Sequence, residues 1–273
     1  MDFDAPRRTL PTTLRVVLAA SARLAAPRSS SVDWCTAMGL TPDERPGLVV
    51  LEGSWWRRER TAQRLARLDE PRELAFPDLH LGRRPGDGLP VLYACVYGAA
   101  RAIEPVHIVG ELGHPAVVVQ VGSCGSLQPG VRTGDIVIPE TAAIGEGASQ
   151  YYGGSGSATA DPELVAQAAT AFGNLGFRVH HGPHITTSAL LAQPPELVAE
   201  WHRAGYLGVD METSAVFTAA RRFGLRAVSL LFAWDELLAG RSFLHTFTPD
   251  EQDAQARANA ALMDVALALV PSP

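Results

Sequence analysis

The sequence predicts a single α/β domain, and three observations predict it. From Gly47 onward, short β-type runs alternate with helical stretches. Several of those runs are continuously apolar, as strands covered on both faces must be. The chain has 273 residues, of which 47% are hydrophobic and 19% charged. That balance is globular, and the length can bury a core without disulfide or metal staples.

Residues 1–46 read as an appendage. Pro6, Pro11, Pro27, Pro42, Pro46 and the run Ser29-Ser30-Ser31 interrupt regular structure there. Leu14, Val17, Leu18 and Leu24 share one helical face, which predicts a short amphipathic helix over Leu14–Ala26. Arg15 and Arg23 make that stretch a poor signal-peptide core. Residues 47–273 form the main domain. Strands are expected at Leu48–Leu51, Leu89–Tyr97, Ala116–Val121, Asp135–Pro139, Arg178–Gly182, Leu207–Val209 and Arg226–Ala233. Helices are expected at Trp55–Leu68, Arg101–Leu112, Pro162–Leu175, Pro195–Ala204, Glu212–Phe223 and Pro249–Leu269. Asp161-Pro162 supplies an N-cap and a first-turn proline. Thr248-Pro249-Asp250-Glu251 adds a capping box. Gly153–Ser157 reads as a mobile loop, and no internal repeat is present.

Composition excludes several function classes. Acidic residues number 29 against 23 basic ones, a net charge of −6, which argues against a general nucleic-acid binder. Every basic residue is Arg, so neither a lysine Schiff base nor a phosphate-loop lysine is available. Cys35, Cys95 and Cys124 form no disulfide framework or zinc pattern, so a reducing, cytoplasmic setting is expected. No apolar run is long enough to span a membrane. His180, His181 and His184 match no metal-ligand spacing, and neighbours on a strand point apart. A structural role is therefore expected for them, and no metal.

Three segments carry candidate chemistry. In Gln120–Ser126 an apolar strand runs into a Gly/Ser turn, where backbone N–H groups and the hydroxyls of Ser123 and Ser126 can approach an anion. Gly208-Val209-Asp210-Met211-Glu212 lies at a strand-to-helix junction, and one of its carboxylates can accept two hydrogen bonds from a vicinal diol. Asp235 follows the apolar run Ala227–Ala233 and Trp234, at a strand end where α/β sheets place ligands. Partial burial would raise it toward neutrality and let it carry a proton. Each segment alone is also compatible with an ordinary turn or cap.

Taken in order, Gly53-Ser54-Trp55-Trp56-Arg57, Gln120–Ser126, Gly134-Asp135-Ile136-Val137, Gly208–Glu212 and Asp235 resemble the nucleoside phosphorylase family. That family includes purine nucleoside phosphorylases, uridine phosphorylases and methylthioadenosine nucleosidases. The resemblance covers about Gly47 to Leu269, and Gly122-Ser123-Cys124-Gly125 and Val209-Asp210-Met211-Glu212 are its most specific parts. It implies a mixed central β-sheet of phosphorylase/hydrolase-like type flanked by helices. It also implies cleavage of a nucleoside by inorganic phosphate as co-substrate, with no other cofactor, in a homodimer or a hexamer built as a trimer of dimers. By the same resemblance Gly53, Arg57, Gln120 and Ser123 are phosphate positions, and Met211 and Glu212 are the ribose floor and hydroxyl acceptor. Cys124, Gly125, Leu190, Asp210 and Trp234 border the base. Asp235 is the acid that protonates a purine at N7, with Arg241 near enough in sequence to assist it.

The departures from the pattern are informative. Gln120 stands where the phosphorylases carry Arg, which removes a charge and a forked donor from the anion site. Nucleosidases carry an uncharged amide there, so a water nucleophile is the alternative expectation. Leu190 falls where an aromatic covers the base, Trp234 replaces a small residue before the acid, and no His precedes His80. A nucleoside-binding protein without catalysis is the third reading.

Overall fold

The computed structural model describes residues 32–271, so the helix expected over Leu14–Ala26 lies outside the described residues. In chain order the elements are α1 (Trp34–Met38), β1 (Leu48–Gly53), α2 (Arg57–Leu65), β2 (Asp69–Glu73), β3 (Leu79–Arg83), β4 (Pro90–Val96), α3 (Ala99–Glu111) and β5 (Val117–Ser126). There follow β6 (Ile136–Gly145), β7 (Ser157–Thr159), α4 (Pro162–Asn174), β8 (Val179–Thr187), α5 (Pro195–Arg203), β9 (Gly208–Asp210), α6 (Thr213–Arg222), β10 (Arg226–Glu236) and α7 (Pro249–Ala268).

The ten strands form one mixed sheet in the order β10-β6-β8-β9-β5-β1-β4-β3-β2, with β7 paired to β6. A further pairing of β10 with β5 closes β5, β9, β8, β6 and β10 into a ring. Strands β4, β1, β5 and β10 run parallel, so their C-terminal ends open on one side.

Alternation along these strands explains why both faces are covered. In β1, Val49 and Leu51 join one core while Leu48 and Val50 join another. In β4, Leu92, Ala94 and Val96 face the first core, and Val91, Tyr93 and Cys95 face the second. Helices α3 and α6 supply the first core through residues such as Ile103, Val106 and Phe217. Helices α4 and α7 supply the second through Leu164, Phe172, Leu262 and Met263. Side chains packed on both faces of a sheet are the expected outcome of continuous apolar runs. Met38 and Leu40 also enter the first core, so the described part of residues 32–46 packs on the domain.

Both marked helix starts form as expected. Asp161 Oδ1 accepts from the amides of Glu163 and Leu164 at 3.0 Å each, and Thr248 and Glu251 close a reciprocal capping box. Two expectations are corrected. The segment Gly122–Ser126 is not a turn: β5 continues through it, pairing with β10 and then β9. Gly153–Ser157 is tied down rather than free, with Gly154 N donating to Ser149 O at 2.9 Å and Ile144 N to Gly156 O at 2.9 Å. Strand β2 was not expected, because its residues Asp69–Glu73 are all exposed and carry no apolar alternation.

One buried ion network fixes the end of β1. Arg64, 3% exposed, makes a forked pair with Glu52, 1% exposed, through two contacts of 2.9 Å. Tyr93 donates its hydroxyl to Glu52 at 2.9 Å, and Arg64 also donates to the carbonyl and side chain of Asn259 in α7. Removing one partner leaves a buried charge alone, so Arg64→Met is expected to lose about 3–5 kcal/mol of unfolding free energy in urea. Adding Glu52→Gln should restore part of that loss; a double variant no better than the single one would show that the charge is not the cause.

Candidate active site

At the C-terminal ends of β1, β4, β5 and β10 lies a cavity of about 460 Å³. This is where parallel sheets leave room for ligands, because the strands diverge and the following segments turn away. Its lining brings together Gly53, Ser123, Cys124, Gly125, Leu190, Met211, Glu212, Trp234 and Asp235, all expected site residues. Trp55, Trp56, Tyr97 and Phe243 add aromatic surface.

Glu212 is held from two sides. Its Oε1 accepts the Gly98 amide at 2.6 Å, from the N-terminus of α3. Its other oxygen lies against Gly53, where an added Cβ would sit only 2.4 Å from Oε2. That contact is the physical reason for glycine at the end of β1. Glu212 is 4% exposed. Burial first, and the neighbouring Asp210 charge second, push its carboxyl up to about 8, against smaller opposing effects from the Gly98 and Met211 amides.

Asp235 reaches the cavity through an irregularity in β10. The register against β5 shifts between Ala233, opposite Cys124, and Asp235, opposite Gly125, which leaves Trp234 as the bulged residue. Gly125 has no Cβ to block this; one placed there would lie 3.1 Å from Asp235 Oδ1 and 2.6 Å from Leu237. Burial raises Asp235 to about 7, although the amides of Phe243 and Asp235 itself and the charge of Arg241 favour the anion. Trp234 stacks on Trp56, with ring centroids 5.2 Å apart at 25°. The pair walls the cavity beside the acid.

Four expected residues turn their charged or polar groups toward other partners. Arg57 pairs with Asp78 and opens onto a different surface hollow. Gln120 is fully buried: Nε2 donates to Asp210 at 3.0 Å, and Oε1 accepts from Ser229, with Thr213 Oγ1 2.6 Å away. Asp210 borders the cavity, but its carboxylate is turned into that same network, with Thr186 and Thr213 as further donors. Its own burial would raise it, but His184 and the Thr213 and Thr186 hydroxyls outweigh that and hold it below the usual carboxylate range. Arg241 is engaged by Glu251 at 2.6 Å and Glu236 at 3.7 Å, so it acts on Asp235 only through space. The sequence reading also missed Gly98 and Tyr97. Their place follows from the strand pairing: Gly53 lies in register with Val96 on parallel neighbours, which brings the segment after β4 beside it.

Among the described residues, the cavity lining contains no Arg, Lys or His. Of the histidines outside it, His180 Nε2 lies 2.9 Å from Asp135 and His181 Nδ1 2.7 Å from Glu140. Cys124 is 3% exposed, and burial followed by the charges of Asp210 and Asp235 pushes its thiol well above the usual range. Such an environment favours the protonated thiol over the thiolate.

The α/β architecture with its ring-closed sheet is shared with solved uridine phosphorylases. The crystal structure of uridine phosphorylase from Vibrio fischeri ES114 superposes with a TM-score of 0.71, covering 83% of this chain and 93% of that one at 23% identity, which shows a common fold. The family model of the phosphorylase superfamily matches residues 87–270, and the chain belongs to that superfamily. Guanosine phosphorylase of Halorubrum lacusprofundi is 32% identical over 143 residues, 52% of this chain and 58% of that protein. A DeoD-type purine nucleoside phosphorylase of Caldanaerobacter subterraneus is 30% identical over 127 residues, 46% of this chain and 55% of that one. The matched segment thus spans less than two thirds of these relatives' length. No helix among the described residues is long and apolar enough to cross a membrane.

The raised carboxyl of Asp235 makes a stability prediction. Its ionisation opposes folding, because its folded-state value of about 7 exceeds the unfolded one. Relative stability from Asp235 is therefore full below about pH 4 and is lost as pH rises through 7. The stability of Asp235→Asn relative to the parent should improve by on the order of 2–4 kcal/mol between pH 4 and pH 8, read from urea unfolding. A gap that does not change with pH would show that Asp235 ionises freely.

Proposed function

We propose that the chain cleaves the N-glycosidic bond of a purine nucleoside and transfers the ribosyl group to inorganic phosphate, giving free base and ribose 1-phosphate. The observation that carries this reading is the convergence of Glu212 and Asp235 on one cavity beside Ser123 and Gly125. The relatives' names, guanosine and purine nucleoside phosphorylase, support the purine assignment.

In this mechanism ionised Glu212 accepts the ribose hydroxyls above Met211, placing C1′ toward Ser123. A phosphate oxygen forms a bond to C1′ as the C1′–N9 bond breaks, and the electron pair of that bond moves into the base. Asp235 delivers its proton to N7, so the purine departs neutral. Positive charge develops on the ribosyl ring in the transition state, and nearby carboxylates stabilise it. The stacked Trp56 and Trp234 shield the acid from water on one side. Exposed apolar side chains near the mouth, Trp55 at 60% and Leu191 at 76%, suit a subunit contact in a homodimer or larger assembly.

A second reading rests on a specific observation. The cavity lining has no cation, Gln120 is sealed in the interior and Arg57 is paired with Asp78. A phosphate dianion therefore finds only hydroxyl and amide donors, which favours water as the attacking group and free ribose as the product.

Asp235→Asn is expected to lower kcat by about 10²–10⁴-fold while KM changes little. Turnover equal to the parent's would remove Asp235 from the chemistry. A nucleoside panel scored for base release with and without phosphate separates the two readings. Phosphorolysis requires release to depend on phosphate; release at full rate in its absence, with ribose formed, establishes hydrolysis.

A further inference from the structure

Four carboxyl side chains, Glu146, Asp210, Glu212 and Asp235, are buried in or beneath this site. Glu146 accepts from the amides of Ala148 and Ser149 and from the hydroxyls of Ser149 and Ser214. Asp210 accepts from Thr186 Oγ1 at 2.8 Å, Gln120 Nε2 at 3.0 Å and Thr213 N at 2.9 Å, and from Thr213 Oγ1 and Glu212 N. A carboxylate that meets only donors stays an anion. It lies beside Glu212, which has no cationic partner among the described residues. Uncompensated, that fixed charge would suppress the ionisation on which sugar capture depends.

The basic side chain that reaches the cluster is His184 on β8. It is completely buried, and its Nε2 lies 3.4 Å from Asp210 Oδ1. The alignment is too poor for a hydrogen bond, and neither ring nitrogen has another partner among the described residues. The ring packs against Gly208, where a Cβ would meet its Cε1 at 3.2 Å and Cys124 Sγ at 3.0 Å. A histidine needed only for shape would be served as well by an apolar ring. A buried one held against a fixed anion supplies charge, and at this distance the Coulomb attraction exceeds the loss from an unpaired ring N–H.

We propose that His184 is a positioning residue that carries a positive charge against Asp210 and so leaves Glu212 free to ionise and hold the sugar. The proposal rests on the assignment of Glu212 as the sugar acceptor. Other titratable groups facing Glu212 and Asp210 are Asp235 from β10, the Cys124 thiol from β5 and Tyr97 at the end of β4. Each is neutral or negative, so none substitutes for His184.

The test is nitrogen-15 NMR of the imidazole rings in the full chain, with the His184 signal assigned by its loss in His184→Gln. At pH 7 the parent is expected to show the doubly protonated ring pattern, and Asp210→Asn the neutral one. A neutral ring in the parent, or one indifferent to Asp210→Asn, overturns the proposal. This readout needs no turnover, so its failure is distinct from failure of the functional reading. Should His184→Gln not fold, the ring is assigned through its proximity to Gly208, and parent against Asp210→Asn decides. In turnover, His184→Gln should move the acid limb of kcat/KM up by on the order of one pH unit, mostly through KM, whereas Asp210→Asn, which removes both charges of the pair, should leave it close to the parent's. A limb that stays in place in His184→Gln contradicts the proposal.

Discussion

Asp210 sits in the interior with its carboxylate surrounded by donors from β5, β8 and the start of α6. Those bonds tie three separately folded segments to one point. They hold the amide ends of α6 in place, so Glu212, the residue before that helix, emerges at a fixed angle. The remaining geometry follows from that angle. Glu212 must lie over a residue without a Cβ, which is Gly53, and must meet the amide at the start of α3, which is Gly98. The ion network of Glu52, Arg64 and Tyr93 holds Gly53 from behind. A carboxylate turned into the interior network thus sets the position of one that faces the cavity.

Asp235 is placed by a different device. A regular strand would send successive side chains to opposite faces, but the bulge at Trp234 re-aims the acid. The same bulge turns an indole toward Trp56. The two carboxyls that matter are both raised, yet for different reasons. Desolvation dominates each, but Glu212 also has an anionic neighbour, whereas Asp235 has a distant cation in Arg241. Both groups therefore hold a proton closer to neutral pH than free carboxyls do; the proposed acid role of Asp235 needs that proton, whereas the proposed acceptor role of Glu212 needs it released when the sugar binds.

The sequence revealed the strands and helices whose cause is local. Continuous apolar runs announced β1, β4, β5 and β10, and Asp161-Pro162 and the Thr248 capping box announced α4 and α7. Strand β2 was silent, since an exposed edge strand needs no alternation. The carboxyl pair was also legible, because Glu212 and Asp235 each follow a recognisable strand end. Arg57 and Gln120 were not, since their directions depend on partners remote in sequence. Asp78, in a left-handed conformation at φ 69°, captures Arg57, and Thr213 and Ser229 capture Gln120. A side chain's type can be read from the chain, but its direction is decided by what packs beside it.

The central claim is that Glu212 and Asp235 address opposite ends of one glycosidic bond. A crystal structure with a C-nucleoside analogue of a purine, whose glycosidic bond cannot break, tests it most directly. The account predicts both ribose hydroxyls within hydrogen-bond distance of Glu212, and the base N7 at Asp235. An analogue bound outside this cavity, or lying in it with its sugar away from Glu212, would contradict the account.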